Sequence, residues 1–301
     1  MPGRYPGFWL WGVLRTGAGW ALMMDGTILG DTVRILEERL GERMDDVRVE
    51  RAVVGIFFTG VKLSTGHGGI CATPIKSIPE AVCCPSSAKA MPHSGRLRER
   101  TIRAFIADAL GDRPMRKALG IAVVSALSAL CDDVCPQPGY TVTRGIDAVD
   151  LLTIQESGNV VVVGALTPYL RALKQAGQPF RVLEMDPRTL KPDELPFYAP
   201  VEETDRVVPW ADTLIITGTT LINGTLEHLL DLARSGATVV VLGPSVSILP
   251  DALFARGVEI VGGNVVTDPD RLLDTLAEGG SGYHFFGKGA DRIAVRRSSA
   301  P

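Results

Sequence analysis

A repeated strand-then-helix pattern in the second half of the chain constrains the fold more than any other feature. Short runs rich in Val, Ile and Leu each end in a glycine or a polar residue, and segments with helical spacing separate them. The runs lie at residues 159–164, 181–186, 212–218, 237–243 and 258–263. Such runs are typical of a parallel sheet that helices cover on both faces. The pattern predicts a Rossmann-like α/β domain with a doubly wound parallel sheet.

One of the intervening segments shows the helical spacing clearly. One face of the segment at residues 225–236 holds Leu226, Leu229, Leu230 and Ala233. Gly236 closes this segment, and glycine is the residue that most often ends a helix. We therefore expect a helix that stops at Gly236.

The first half of the chain lacks this alternation and predicts a smaller α+β domain. Leu29, Val33, Leu36 and Leu40 show helical spacing. Residues 47–75 contain two or three strands separated by turn-forming glycines. Residues 101–110 predict an amphipathic helix, and the apolar residues 118–130 predict a fully buried one. The segment at residues 131–147, rich in Pro and Gly, predicts a linker.

These patterns divide the chain into three parts. We expect a poorly structured extension at residues 1–24, an α+β domain at residues 25–145 and the Rossmann-like domain at residues 146–301. The apolar run in the extension stops at Arg15, which makes it shorter than the roughly 20 residues that cross a bilayer. Met1 and Met24 are both candidates for the functional start.

The charge and the cysteine content of the chain indicate which partners and which cellular compartment to expect. The formal net charge is −3 and the pI is about 5.9, so the chain has no broad cationic surface that would attract nucleic acid. Five cysteines are an odd number in a long chain, which favours a reducing compartment over a secreted disulfide framework. We expect a cytoplasmic protein that binds neither nucleic acid nor a membrane.

Uncharged polar residues follow four of the five predicted strands. In an open parallel sheet, ligands bind beyond the carboxyl ends of the strands. These positions hold GALTP at 164–168, GTTLINGT at 218–225, GPSVS at 243–247 and GGNVVTD at 262–268. Hydroxyl, amide and backbone N–H groups bind anions or oxygen-rich ligands without fixed positive charge. The same residue types also form caps and turns, but several such loops at one edge favour a ligand site.

Glu184 follows a different strand and raises a second hypothesis. It lies 20 residues after Gly164, the spacing at which nucleotide-binding folds place the acid that binds a ribose. The loop at Gly164 lacks the G-x-G-x-x-G pattern, and Pro168 is placed to begin the next helix. Binding of a nucleoside cofactor by Glu184 is therefore one hypothesis. The alternative is that Glu184 faces solvent at the strand end or pairs with Arg181.

The sequence contains no strong metal-binding signature. It has neither C-x-x-C nor H-E-x-x-H, and the close cysteines lie in CDDVC and in the pair at residues 83 and 84. His67 lies in the glycine-rich STGHGGICAT loop, where an imidazole suits the wall of a site. A loop histidine that faces water is the alternative.

Several stretches resemble the putative heavy-metal chelation family, in which an enolase N-terminal-like domain precedes a Rossmann-like domain. The resemblance covers residue 25 to nearly the C-terminus. It rests on ADTLIITGTTLINGTLEHLLDLA, VVVLGPSVSILPDALFARGVEIVGGNVVTDPDRLL, VLEMDP and, more loosely, VVVGALTPYLRAL and TGVKLSTGHGGICAT. It implies a cleft between the two domains that handles a heavy metal or a metal chelate.

The resemblance also implies which residues line that cleft. They are Thr219, Thr220, Asn223, Gly243, Pro244 and Ser245, with His67 and Gly69 from the first domain. The strand ends add Gly164, Glu184, Thr217, Gly218, Gly263 and Asn264 to this predicted site. The chain departs from the family at Ser125, where the family tends to have an asparagine, which puts a polar contact from that helix in doubt.

Three functions are compatible with these residues. The first is binding of a transition-metal ion, or of an oxygen-rich molecule that carries one, in the interdomain cleft. The second is an enzyme acting on a nucleoside-containing or phosphorylated small molecule in the same cleft, with Glu184 on the ribose. The third is an assembly or sensor protein whose sheet edge forms a homodimer. No residue has a visible partner that would tune its pKa, so no catalytic residue is assigned.

Overall fold

The computed structural model describes residues 26–77, 89–136, 139–152 and 158–298. The predicted extension at residues 1–24 and the cysteine pair at residues 83 and 84 lie outside these ranges.

The N-terminal half builds a small antiparallel sheet with helices. The elements are α1 (Ile28–Leu40), α2 (Arg43–Asp46), β1 (Val49–Val54), β2 (Phe58–Leu63), β3 (Gly68–Ala72), α3 (Ile102–Leu110) and α4 (Pro114–Val134). The three strands pair in chain order. Thr27 and Thr101 begin α1 and α3, because each hydroxyl accepts a hydrogen bond from a backbone N–H of the first turn. The expected helices and strands are all present, and the enolase N-terminal-like character stays a prediction.

The C-terminal half alternates strands with helices. The elements are β4 (Tyr140–Arg144), β5 (Val160–Val163), α5 (Thr167–Ala176), β6 (Phe180–Leu183), β7 (Tyr198–Ala199), α6 (Thr204–Val207), β8 (Thr213–Thr217), α7 (Thr220–Asn223), α8 (Leu226–Leu232), β9 (Thr238–Leu242), α9 (Asp251–Phe254), β10 (Ile260–Val266), α10 (Pro269–Ala277), α11 (Gly282–Phe285) and β11 (Ala290–Arg297). Short 3₁₀ turns connect several of them.

These strands form one sheet of eight, in the order β4-β11-β10-β9-β8-β5-β6-β7. The six strands from β10 to β7 are parallel. Counted along the chain, they follow the order 3-2-1-4-5-6 from the β7 edge, which is the strand order of Rossmann folds. The order reverses between β5 and β8. The predicted doubly wound α/β fold is thereby confirmed, with all five predicted strands in place.

Three features of this half differ from the expectation. β11 is antiparallel and β7 very short, and neither was predicted. Residues 140–144, placed in the N-terminal domain by the sequence, pair with β11 in the large sheet, because a strand at a sheet edge takes its partner from a distant part of the chain. Helix α8 ends at Leu232 instead of at Gly236, since Ala233 turns to an extended conformation and Arg234 pairs with Asp212.

The two halves share their hydrophobic core. Helix α4 covers one face of the three-stranded sheet, and a Cβ on Gly69 of β3 would lie 2.1 Å from Ala122 O of that helix. Helix α10 covers the other face, where Leu273 and Leu276 pack with Ile70. A single cluster of buried residues also continues from α1, α3 and α4 into β5, β8 and β9. The small sheet is therefore enclosed between helices from both halves.

The opposite face of the large sheet has its own core. Val160, Val162 and Ile215 pack there against Leu170 and Leu173 of α5, so helices cover both faces as the β-branched runs require. Within the described residues, none of the helices combines the length and the apolar character needed to span a membrane.

Candidate functional site

One cavity lies where the strand order reverses, and we call it the switch-point cavity. It has a volume of ≈ 440 Å³ and lies at the carboxyl ends of β5, β6 and β8. Its lining comprises Val163, Gly164, Leu183, Glu184, Met185, Val201, Glu202, Thr204, Asp205, Thr217, Thr219, Thr220, Asn223, Thr225, His228 and Leu229. This is the place where open α/β sheets bind their ligands.

Hydroxyl groups after β8 form one wall of the switch-point cavity. Thr217 Oγ1 and Thr219 Oγ1 lie 3.2 Å apart, and the Thr220 hydroxyl donates to Thr217 O at 2.7 Å. Asn223 Oδ1 accepts from the backbone N–H and the hydroxyl of Thr225. The Asn223 Nδ2 group lies 3.9 Å from the sulfur of Met185. The wall therefore offers hydroxyls and an amide donor to a ligand.

Glu184 forms the opposite wall, at the end of β6. Its Oε2 accepts from Ala165 N at 2.9 Å and its Oε1 accepts from Asp186 N at 3.0 Å. Arg181 instead donates to Phe180 O, so the pairing of Glu184 with Arg181 considered above is wrong. Two backbone N–H groups fix the orientation of this carboxylate, and each oxygen keeps a lone pair for another donor.

Asp186, two residues further, ties β6 to the N-terminal half. Its carboxylate contacts Arg188 Nε at 2.8 Å and Lys76 Nζ at 3.1 Å. The hydrogen bond from Arg188, followed by the one from Lys76, holds the pKa of Asp186 well below its usual value. Asp186 is thus occupied by two cations and belongs to the structural framework beside the cavity.

The second cavity lies between the two halves, and we call it the interdomain cavity. It has a volume of ≈ 570 Å³ and is bounded by α4, by the end of the loop before β3, by β4, β10 and β11, and by the loop after β9. Its polar lining comprises His67, Ser125, Ser128, Asp132, Asp133, Tyr140, Arg144, Ser247 and Asn264.

Asn264 carries an unpaired donor in the wall of the interdomain cavity. The residue is 5% exposed. Its Oδ1 accepts from the Ser247 hydroxyl at 2.8 Å, and its backbone N–H donates to Ser247 Oγ at 2.9 Å. Its Nδ2 has no hydrogen-bond partner within the part of the chain that the structure describes. Leaving a buried donor unpaired costs about 1–3 kcal/mol, so such a group calls for an explanation.

Titratable groups cluster at one end of the interdomain cavity. His67 Nε2 lies 3.6 Å from Asp133 Oδ2, and its Nδ1 lies 3.0 Å from Thr65 Oγ1. The Tyr140 hydroxyl donates to Asp132 Oδ1 at 2.6 Å. Desolvation raises the pKa of Asp132, and the hydrogen bond from Tyr140 opposes that rise in part. This end combines an imidazole with two carboxylates.

The predicted site residues divide between the two cavities. Gly164, Glu184, Thr217, Thr219, Thr220 and Asn223 line the switch-point cavity, whereas His67, Gly263 and Asn264 line the interdomain cavity. Gly69, Gly218, Gly243, Pro244 and Ser245 line neither. The expectation of one shared pocket is therefore corrected to two, because β10 is two strands away from β8 in the sheet and lies against β3 of the N-terminal half.

The GPS loop and Gly69 have structural roles instead. Ser245 is 1% exposed, and its Oγ accepts from Ala72 N at 3.0 Å, which joins the loop after β9 to β3. Burial raises the pKa of the neighbouring Cys71 thiol to about 12. Gly243 has a φ of 122°, which suits glycine. Ser245 therefore attaches the loop after β9 to the N-terminal half.

Sequence reasoning missed the helix wall of the interdomain cavity. Ser125, Ser128 and Asp132 lie three and four residues apart along α4 and therefore on one face. That polar spacing was a usable signal within a helix otherwise interpreted as apolar all round. Ser125, at the departure from the family pattern, is part of this wall.

No group of three or more His, Cys, Asp or Glu side chains among the described residues is arranged to hold a metal ion. Cys71 and Cys131 are free thiols. His67 with Asp133 supplies two potential ligands, whereas protein sites for transition metals generally use three or four.

Comparisons with known proteins cover both halves of the chain. Residues 37–128 and residues 147–295 match the families DUF4213 and DUF364, both described as "putative heavy-metal chelation". An uncharacterized protein of Methanocaldococcus jannaschii is 27% identical over 180 residues, which are 59% of this chain and 64% of that protein.

Two solved structures of proteins with unknown function from the DUF364 family have the same fold. The one from Pyrococcus horikoshii has a TM-score of 0.70 at 20% identity and covers 89% of this chain and 99% of its own. The one from Desulfitobacterium hafniense has a TM-score of 0.66 at 17% identity and covers 88% of this chain and 98% of its own. With both halves matched in sequence, this chain belongs to the family described as putative heavy-metal chelation proteins.

Proposed function

We propose that the protein binds an oxygen-rich small molecule that carries a heavy-metal ion, and that it does so in the interdomain cavity. The observation that carries this proposal is the unpaired Nδ2 of Asn264, a buried donor in the cavity wall. An acceptor oxygen of a bound molecule supplies the missing partner. The family description of heavy-metal chelation supports a metal as the cargo.

A chelate suits the donors better than a bare ion does. His67 and Asp133 offer one imidazole and one carboxylate to the metal, and the remaining coordination positions fall to the bound molecule itself. The Ser125 hydroxyl and the Asn264 amide, both in the cavity lining, are suited to donate hydrogen bonds to the oxygen atoms of that molecule.

The proposal extends to compartment and partners. We place the protein in the cytoplasm, in keeping with free thiols at Cys71 and Cys131, with a small molecule as its ligand and neither nucleic acid nor membrane as a partner. A homodimer through a sheet edge stays a prediction. We do not propose the enzyme hypothesis for this cavity, because Glu184, on which it depends, lies in the other cavity.

Titration calorimetry tests the proposal with Ni²⁺ alone and with Ni²⁺ complexes of citrate and of histidine. We expect at least one complex to bind more tightly than Ni²⁺ alone. Asn264→Leu removes the amide donor and should weaken that binding about tenfold, the effect of one hydrogen bond. His67→Ala should weaken binding of the complex while leaving binding of the free chelator unchanged.

The matched control is Asn223→Leu, which changes an exposed asparagine of the switch-point cavity and should leave chelate binding unaltered. Thermal unfolding of each variant confirms that it is folded. Failure of every complex to bind, or binding to Asn264→Leu as tight as to the unchanged protein, contradicts the proposal.

A further inference from the structure

The switch-point cavity is independent of the interdomain cavity, because the two share no lining residue. It lies at the carboxyl ends of the strands on both sides of the order reversal, where dinucleotide-binding sheets hold their ligands. Its volume of ≈ 440 Å³ is within the range of about 300–1,000 Å³ that is usual for small-molecule sites. Position and size indicate a ligand site that the proposed function does not use.

The turn after β5 is unsuited to a phosphate group. Phosphate binding at this turn requires free backbone N–H groups at the start of the helix. The N–H group of Ala165 donates to Glu184, that of Leu166 to Gly164 O at 2.8 Å, and that of Thr167 to Ala165 O at 2.9 Å. The next residue is a proline, which has no N–H. The turn therefore has no donor left for a pyrophosphate.

The charge of the switch-point cavity also opposes phosphate. Its lining contains the carboxylates of Glu184, Glu202 and Asp205, and no lysine or arginine is among the lining residues that the structure describes. His228 is the single basic group there, and its Nε2 lies 3.0 Å from Asp205 Oδ1. Carboxylates repel an anionic ligand and favour a neutral or cationic one.

Glu184 is suited to a pair of adjacent hydroxyl groups. Its two oxygens accept from the backbone N–H of Ala165, in the turn after β5, and from that of Asp186, just after β6, so the carboxylate presents two acceptors in a fixed orientation. A vicinal diol donates two hydrogen bonds at that spacing, as a ribose does in nucleotide-binding folds. Charge-assisted hydrogen bonds of this kind are stronger than neutral ones.

The rest of the lining is suited to a planar base. Met185 is 73% exposed and Val201 is 43% exposed, although both are apolar, and both line the cavity. A base placed against them would remove apolar surface from water, and thioether sulfur contacts aromatic rings favourably. The Asn223 Nδ2 group, beside Met185, is available to a ring nitrogen or carbonyl.

We propose that the switch-point cavity is a second binding site and that its ligand is an unphosphorylated nucleoside. Glu184 accepts hydrogen bonds from the 2′- and 3′-hydroxyls of the ribose. The base lies against Met185 and Val201, and Asn223 donates to its edge. Glu202 and Asp205 exclude the corresponding nucleotides.

Titration calorimetry with adenosine, guanosine, cytidine and uridine, with their 5′-monophosphates and with ribose tests this proposal. At least one nucleoside should bind, its monophosphate should bind about tenfold more weakly or worse, and ribose alone should give no measurable heat. Absence of binding by all four nucleosides overturns the proposal. Equal or tighter binding of the monophosphate, or binding of ribose alone, overturns it as well.

Two variants test the individual contacts. Glu184→Gln should weaken binding of the nucleoside about tenfold while leaving binding of its 2′,3′-dideoxy analogue unchanged, because that analogue lacks the diol. Equal losses for both would show that glutamine only disturbs the turn and would overturn the role of Glu184. Met185→Ala, at an exposed position, should weaken binding of both ligands. Asn264→Leu is the control and should not affect either, which separates this test from that of chelate binding.

Discussion

Asp108 is a buried acidic residue whose removal should strongly lower stability. Its side chain is 2% exposed and accepts from Arg100 Nη1 at 2.6 Å and from the Arg116 guanidinium. Arg116 Nε already has no hydrogen-bond partner among the described residues. Both guanidinium groups depend on this one carboxylate for charge compensation.

Asp108→Ala should therefore lower the free energy of unfolding by about 3–5 kcal/mol, because it leaves two cations near the core without a counter-charge. Urea denaturation measures this change. Glu38→Ala is the matched control: it removes an ion pair with Arg34 that is more than half exposed on both sides, and it should leave the denaturation midpoint almost unchanged. Similar midpoints for the two variants would contradict the expectation.

Single residues show how far a sequence can predict a site of this kind. The 20-residue spacing from Gly164 correctly placed Glu184 at a strand end beside that glycine, because both follow neighbouring parallel strands. The sequence could not show that Asn264 and Thr219 line different cavities. Which cavity a strand-end residue faces depends on the neighbouring strands and on what covers them, and both come from distant parts of the chain.

The contact between β3 and α4 depends on Gly69. A Cβ at this position would lie 2.1 Å from Ala122 O and 2.5 Å from Ala126 N, both backbone atoms of a buried helix. Gly69→Ala should therefore push the sheet away from α4 and lower the free energy of unfolding by about 1–3 kcal/mol or more.

Gly139→Ala is a suitable control for Gly69→Ala, because a Cβ on Gly139 meets no atom within 4 Å. Circular dichroism during thermal unfolding compares the two variants. If Gly69→Ala unfolds at the same temperature as Gly139→Ala, then the approach of β3 to α4 is looser than the structure shows.

Among the elements, burial decided which ones the sequence could predict. The strands β5, β8 and β9 lie inside the sheet and are nearly continuous Val, Ile and Leu, so their pattern is unmistakable. The strand β4 is an edge strand with mostly exposed residues, including Val142 at 44% exposure, and β7 has two residues. Their pairing is set by the neighbouring strand, which leaves little trace in local composition.

The two halves of the chain should unfold together, since their cores are not separate. One buried cluster joins Phe105 of α3 to Leu214 of β8, and a second joins Ile70 of β3 to Leu276 of α10. The loop after β9 adds the hydrogen bond from Ala72 N to Ser245 Oγ. Loss of either half would expose apolar surface of the other to water, so a stable half-unfolded state is disfavoured.

Differential scanning calorimetry should therefore show one transition, with a van't Hoff enthalpy equal to the calorimetric enthalpy. Phe105→Ala in the N-terminal half should destabilise by about 3–5 kcal/mol, and Ile215→Ala in the C-terminal half by about 2–5 kcal/mol. Because Ile215 packs on the far face of the large sheet, in a cluster made only of C-terminal residues, its effect on the N-terminal half can arise only through coupling. Each variant should move the single transition to lower temperature. If the calorimetric trace instead shows two peaks, and each variant shifts only one of them, the halves unfold independently.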